Sequence, residues 1–213
     1  MDCCPLCSSP STEHYYQDKH RHYLQCQRCF LVFVPPHQRL CAQQEKAFYD
    51  LHNNDPQDAG YRQFLSRVVE PMAGRIESRS HGLDFGCGPG PTLSEMMKER
   101  GHTMSLYDLY YYPDTSVLDR QYDFVTATEV IEHLYTPNEV WQQWLSLVKP
   151  SGWIGLMTKL VIDLDAFKNW HYKNDLTHVV FFSRDTFRYL AERDKLELEF
   201  IGNDVILLRK LTQ

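Results

Sequence analysis

The chain has 213 residues, enough for one full hydrophobic core and a small appendage. Its composition, 43% hydrophobic, 13% aromatic and 23% charged, is ordinary for a globular protein, and no apolar run approaches the roughly 20 residues of a membrane span. A formal net charge of −6 weighs against a dedicated nucleic-acid binder, whose contact surface is basic.

The first forty residues read as a metal module. Cys4-Pro5-Leu6-Cys7 and Cys26-Gln27-Arg28-Cys29 are two C-x-x-C pairs separated by eighteen residues. Each pair can form a knuckle with two thiolates on one ion, and two knuckles complete a tetrahedral four-cysteine shell for zinc. The start, Met1-Asp2-Cys3-Cys4-Pro5, has no secretory signature, so the seven cysteines are expected as thiols or ligands in a reducing, cytoplasmic setting. So short a segment cannot build its own core, and metal binding supplies the missing folding energy, on the order of 10 kcal/mol. A closed shell leaves no open position, which makes the zinc structural or substrate-recognising. His14, His20 and His22 are expected at the surface, Lys19-His20-Arg21-His22 as a solvated charge run, and Cys41 as a buried thiol.

Val34-Pro35-Pro36 ends this module, and residues 41–80 are expected to be helical and connecting. A short helix runs from Glu45 to Leu51 and breaks at Asn53-Asn54-Asp55-Pro56. Asp58 then caps a helix with Tyr61, Phe64, Leu65, Val68, Val69, Met72 and Ala73 at three-to-four spacing.

Leu83-Asp84-Phe85-Gly86-Cys87-Gly88-Pro89-Gly90 is the most specific motif of the chain. A short apolar run precedes it, and Pro91 to Arg100 follows with helical spacing until Gly101. Strand, glycine turn and helix form the unit at which open parallel sheets bind adenine-containing cofactors. Glycine has no Cβ, so the turn can admit a ligand to bare backbone. A dinucleotide fingerprint would need glycine at Pro91, and a phosphate-cradling loop would need Gly-Lys-Ser/Thr; neither is present. The next strand, Thr103 to Tyr107, ends in Asp108, about twenty residues past the turn, where a carboxylate can accept from both ribose hydroxyls. Only thirteen residues separate Asp108 from Tyr122, too few for a further helix and strand. Tyr122 to Thr128 is a strand, Glu139 to Val148 a helix, Lys149-Pro150-Ser151-Gly152 a turn and Trp153 to Leu160 a strand. Arg184 to Glu192 is helical, and Leu196 to Ile201 with Val205 to Arg209 reads as a hairpin about Gly202-Asn203-Asp204.

The glycine turn, its acidic residue two places upstream, Asp108 and the Tyr122–Thr128 strand resemble class I S-adenosylmethionine-dependent methyltransferases, over roughly Leu83 to Arg209. The resemblance implies an α/β fold: a doubly wound, mostly parallel sheet with a terminal antiparallel hairpin and a small N-terminal zinc ribbon. The ribbon would span 1–40, a helical lid or linker 41–80, and the methyltransferase domain 81–213. S-adenosylmethionine would be held by Asp84 at its methionine moiety and by Phe85, Gly86, Cys87, Gly88 and Gly90 along the turn. Asp108 would take the ribose, and Thr128 and Glu129 would complete the site beyond the following strand. Tyr49, His52 and Tyr61 would line the lid. The shortened 109–121 segment departs from the family pattern and leaves the adenine contact unassigned between Asp114 and the tyrosine run.

Glu129-Val130-Ile131-Glu132-His133 follows that strand, at the carboxyl end of the sheet where ligands bind. In a helical turn Glu129, Glu132 and His133 share one face, and two carboxylates there repel unless a cation or proton lies between them. With His178 in Asp175-Leu176-Thr177-His178, the arrangement is similar to metal-assisted O-methyltransferases: the small-RNA 2′-O-methyltransferases and the ubiquinone-pathway enzymes. The resemblance implies Glu129, Glu132, His133 and His178 as ligands of Mg²⁺ or a similar ion, which would lower the pKa of an acceptor hydroxyl. In the metal-free account, His133 or His178 is the general base, with Glu132 and His133 a hydrogen-bonded pair on the substrate side or in the structure. Asp163, Asp165, Trp170 and Tyr172 are expected to shape a pocket for a small or ring-bearing acceptor. Two other functions compete: a zinc-ribbon scaffold that binds the cofactor without turnover, and RNA methylation, which the acidic balance disfavours.

Overall fold

The computed structural model describes residues 2–50 and 55–212; His52 and the side chain of Tyr49, both expected in the lid, lie outside the described residues. The N-terminal module is a small antiparallel sheet. β1 (Thr12–Gln17) and β2 (His22–Cys26) form a hairpin, and β2 pairs with β3 (Val32–Phe33). Tyr15, Tyr16 and Tyr23 suit a pleated, half-buried surface, and Tyr23 is fully buried. The sheet does not stop at residue 40: β3 pairs antiparallel with Val180–Phe181, a strand contributed from far down the chain.

The main sheet has six strands in the order β5-β4-β6-β7-β10-β9. These are β4 (His81–Phe85), β5 (Thr103–Tyr107), β6 (Tyr122–Thr128), β7 (Val148–Met157), with β8 being Val180–Phe181, then β9 (Leu196–Ile201) and β10 (Val205–Lys210). The first four are mutually parallel, and the β9–β10 hairpin joins β7 antiparallel through β10. Chain order reverses between β4 and β6, which opens a crevice at their carboxyl ends. β5 is an edge, because residues 109–121 form a turn closed by an Asp108–Tyr112 bridge and a 3₁₀ helix, Thr115–Asp119. Lys149 to Gly152, expected as a turn, is an irregular part of β7: the pairing shifts register between Tyr122 and Phe124.

The helices are α1 (Ala42–Tyr49), α2 (Ala59–Ala73), α3 (Thr92–Glu99), α4 (Pro137–Leu147), α5 (Leu164–Lys168) and α6 (Arg184–Asp194). Asp58 caps α2 by accepting from Tyr61 N at 2.6 Å. α2 and α3 cover one face of the sheet, with Leu65, Val68, Met72, Leu93 and Met97 against Phe124 and Leu207. The alternate residues Val125, Ile206 and Leu208 face the other side, against Trp144 of α4 and Leu190 of α6. That second core is continuous with Cys4, Leu6, Cys26, Cys29 and Leu31, so the cysteine-rich module is packed as part of the catalytic body. Cys41 is exposed rather than buried, because it precedes α1 at the surface. Among the described residues no helix is long and apolar enough to cross a membrane.

Candidate active site

The glycine turn lies at the carboxyl end of β4. Gly86 and Gly88 have φ +73° and +65°, a region that costs a residue with a Cβ roughly 1–2 kcal/mol. A Cβ at Gly86 would come within 2.5 Å of Val130 Cγ2. Gly86 N donates to Tyr107 O at 2.7 Å, and Gly88 N donates to Asp108 Oδ2 at 3.0 Å, which ties the turn to the end of β5. The other oxygen of Asp108 accepts from Tyr110 N at 2.9 Å and Tyr111 N at 3.0 Å. Beneath the turn, buried Asp84 accepts from Ser94 Oγ at 3.1 Å and Thr126 Oγ1 at 3.2 Å. Burial raises its pKa to about 6 against the pull of those two hydroxyls.

The second half of the site follows β6. Glu129 is left-handed, φ +53°, and donates its N–H to Met157 O at 2.8 Å. Ile131–His133 is then a 3₁₀ helix. The shared helical face expected for Glu129, Glu132 and His133 therefore does not form, since Glu129 precedes the helix in a backbone conformation that turns the chain. Strained residues of this kind persist where surrounding structure holds them, often at functional sites. Glu132, His133 and His178 each offer a ligand atom within 4.8 Å of the others; Glu129 is outside that set. It joins through buried Tyr172, whose hydroxyl donates to Glu132 Oε1 and lies 3.3 Å from Glu129 Oε2.

Both carboxyls beside this phenol hold protons more tightly than usual. Burial first, then the Glu129 charge, raises the Glu132 pKa to about 8; burial raises Glu129 to about 7. Glu132 Oε2 is buried and has no hydrogen-bond partner among the described residues. Both imidazoles are oriented by carbonyls: His178 Nδ1 lies 2.7 Å from Tyr172 O, and His133 Nδ1 lies 3.2 Å from Thr177 O. A carbonyl only accepts, so both rings are Nδ1–H tautomers with the lone pair on Nε2. Burial lowers the pKa of His178, favouring the neutral ring.

The four cysteines form a second, separate cluster of ligand atoms. Cys4 Sγ is 3.5 Å from Cys29 Sγ, and Cys7 Sγ is 3.5 Å from Cys26 Sγ, with all four sulfurs within 4.8 Å. Four thiolates at about 2.3 Å from one ion would be about 3.8 Å apart, so the cluster has the dimensions of a tetrahedral site.

Several sequence-based assignments change. Phe85, expected along the turn, is buried at the end of β4 with its ring packed on Tyr107 at 4.9 Å and Trp144 at 5.5 Å. Asp163 caps α5 and Asp165 pairs with Lys168 at the surface, so neither shapes a pocket. Gly86, Cys87, Gly88 and Gly90 form the turn, and Thr128 ends β6 beside Glu129. Arg21, read as part of a solvated run, is 3% exposed. The usable signal was strand alternation: Arg21 and buried Tyr23 are two apart and share a face.

A strained glycine turn at the mouth of a parallel sheet, an acidic residue closing the neighbouring strand and a polar cluster across the crevice define a nucleoside-cofactor-binding α/β domain of the methyltransferase class. A family model described as "Methyltransferase domain" matches residues 58–199, and the chain belongs to that family, with a class I S-adenosylmethionine-dependent domain. It is 32% identical over 114 residues to a ubiquinone biosynthesis O-methyltransferase of Bordetella avium, covering 42% of this chain and 46% of that protein. It is 30% identical over 138 residues to the protein of the same name from Shewanella halifaxensis, covering 54% and 55%. The chain thus spans about half the length of the curated relatives it matches. In structure it is similar to an O-methyltransferase family protein from Burkholderia thailandensis (TM-score 0.56, 15% identity, 79% of this chain and 60% of that one). It is also similar to the plantazolicin methyltransferase BpumL, solved with SAH (TM-score 0.52, 13% identity, 83% and 91%). Both likenesses show the fold.

Proposed function

We propose that this chain methylates a hydroxyl of a small, ring-bearing acceptor. In this reading the cofactor lies in the Gly86–Gly90 cradle, Glu132, His133 and His178 serve the acceptor side, and the four cysteines hold a structural zinc. The observation that carries the acceptor-side reading is Glu132 Oε2, a buried carboxylate oxygen without a partner among the described residues, beside two imidazoles of fixed tautomer. Glu132 is held at Oε1 by Tyr172, but leaving the second oxygen of a buried carboxylate unpartnered is costly, so a cation or a proton belongs there. Histidine ligands commonly donate their second nitrogen to a backbone carbonyl, as both rings do here. The relatives named as O-methyltransferases of ubiquinone biosynthesis support an oxygen acceptor.

When bound, the cofactor supplies an electrophilic methyl group on a sulfonium, to be displaced in line by the acceptor oxygen. Glu132, His133 and His178 would hold a divalent cation, whose chemistry is to acidify and orient that oxygen. The rest of the work is positioning. Tyr172 holds Glu132 by its hydroxyl, and Trp170 packs on Tyr172 at 5.1 Å, giving the acceptor side an aromatic wall. In this reading half-buried Tyr61, its pKa pushed up by burial first and then by the charges of Asp84 and Glu129, lies over the site from α2. α1 acts as the lid: Tyr110 Oη meets Glu45 Oε2 at 3.2 Å and Tyr111 Oη meets Asp50 Oδ1 at 3.0 Å, roofing the turn that follows β5.

The metal-free reading, with His178 Nε2 taking the acceptor proton, is favoured by the lowered pKa that keeps this ring neutral. The test is transfer of labelled methyl to a panel of catechols and phenols, with and without a chelator at a concentration that leaves the ribbon zinc in place by metal analysis. Chelator-sensitive transfer restored by Mg²⁺ supports the cation; chelator-resistant transfer assigns the proton to His178. Cofactor binding with no transfer to any hydroxyl refutes O-methylation.

A further inference from the structure

We propose that Arg21, a residue of the cysteine-rich module, is a positioning residue for methyl transfer: its guanidinium gathers the carbonyls of loop 173–178 and thereby aims His133 and His178. The inference rests on the acceptor-side assignment above. Arg21 Nη1 donates to His178 O at 2.9 Å and Leu176 O at 3.2 Å. Nη2 donates to Asp175 O at 3.0 Å and to Lys173 O. Tyr23 Oη donates to Asp18 Oδ2 at 2.8 Å and lies 3.3 Å from Lys173 O.

The carbonyls of this loop divide between two directions. Those of residues 173, 175, 176 and 178 turn to Arg21; those of Tyr172 and Thr177 turn the other way, to the Nδ1–H groups of His178 and His133. The planes carrying the Leu176 and His178 carbonyls, held by Arg21, flank the rigid plane of the Thr177 carbonyl and so limit the directions open to it. The loop is also tied at its end, where Val179 N donates to Glu132 O at 2.9 Å. Arg21 is thus a side-chain junction between the module and the cluster, beside the backbone one that β3 makes through Val34 N on Val179 O at 2.9 Å. No carboxylate is among its hydrogen-bond acceptors in the loop; Nη1 and Nη2 are matched by carbonyl dipoles, four at once through the planar fork, while Nε is buried without a partner among the described residues. Lysine carries the charge but not the fork. Among the described residues, the cofactor cradle built from Asp84, Gly86, Gly88 and Asp108 has no hydrogen bond to this loop.

The test uses the full-length, zinc-loaded chain and Arg21→Lys and Arg21→Gln variants, read by three measurements. Calorimetry with S-adenosylhomocysteine should give affinities within about twofold of the parent for both variants. Turnover should fall about 10- to 100-fold, the usual effect of losing a partner that orients a site residue, mainly in kcat. Side-chain ¹⁵N spectra of His133 and His178 should show the Nδ1–H tautomer in the parent and a mixture of tautomers in each variant. Retention of the parent's tautomers, or turnover within twofold of it, overturns the proposal. So does a cofactor affinity that falls in step with turnover, because Arg21 then serves the fold as a whole. If the parent itself transfers no methyl group to a hydroxyl, it is the acceptor-side reading that fails, and the histidine spectra alone decide whether Arg21 aims the rings.

Discussion

Asp108 offers the sharpest perturbation of the cofactor half. Its carboxylate is more than a ribose acceptor, since three backbone N–H groups, of Gly88, Tyr110 and Tyr111, already converge on it at 2.9–3.0 Å. They fill three of about four lone-pair positions, leaving one for the ligand. Asp108→Ala removes that acceptor, worth about 1.5–3 kcal/mol for a charge-assisted bond. It also unties the glycine turn from β5, and re-ordering even one residue on binding costs about 1–2 kcal/mol. The sum predicts about 2.5–5 kcal/mol, or roughly 70- to 5,000-fold weaker binding of S-adenosylhomocysteine by calorimetry. Asp108→Asn should lose nearly as much, because its NH₂ must oppose either Gly88 N–H or the Tyr110 and Tyr111 N–H groups. Affinity within twofold of the parent for Asp108→Ala would refute both the ribose role and the coupling of the two turns.

Three further outcomes follow from the same geometry. Gly86→Ala should destabilise by at least the roughly 1–2 kcal/mol of a left-handed backbone, plus the overlap with Val130; adding Val130→Ala should recover the overlap alone, measured by denaturant unfolding. Asp84 has a raised folded-state pKa of about 6, so its stabilising effect is complete below about pH 4 and is lost as pH rises through 6. Asp84→Asn should remove that decline, changing the parent–variant stability difference by about 3 kcal/mol between pH 4 and pH 7; parallel stability curves would contradict it. Metal analysis should find one zinc per chain, and Cys26→Ser should lose it together with cooperative unfolding of the whole chain, since Cys26 shares a core with Trp144 and Leu190. A variant that loses zinc yet unfolds at the parent's midpoint would show the module to be separable.

What was legible in the residues was what is local. The glycine turn, the Asp58 cap, the terminal hairpin and the C-x-x-C pairs each declare themselves within a few positions, and the structure forms them at nearly the expected boundaries. The shortened segment after Asp108 was legible too, because thirteen residues cannot hold a helix and a strand. Long-range and backbone facts were not. Nothing near Val180–Phe181 announces that it completes the N-terminal sheet. Nothing in Glu129 announces a positive φ, and that one dihedral removes it from the face it was expected to share with Glu132 and His133. Arg21 was hidden by its neighbours: Lys19 and His20 are exposed as charge runs usually are, while Arg21 turns inward to a loop more than 150 residues away.

Backbone amide spectroscopy during titration with S-adenosylhomocysteine tests the location of the cofactor most directly. The amides of Gly86, Gly88 and Tyr110 should shift together and saturate at one ligand per chain, while those of Cys4 and Cys29 stay in place. Glycine-turn amides that do not move at millimolar ligand, or a response centred on the cysteine cluster, would contradict the account.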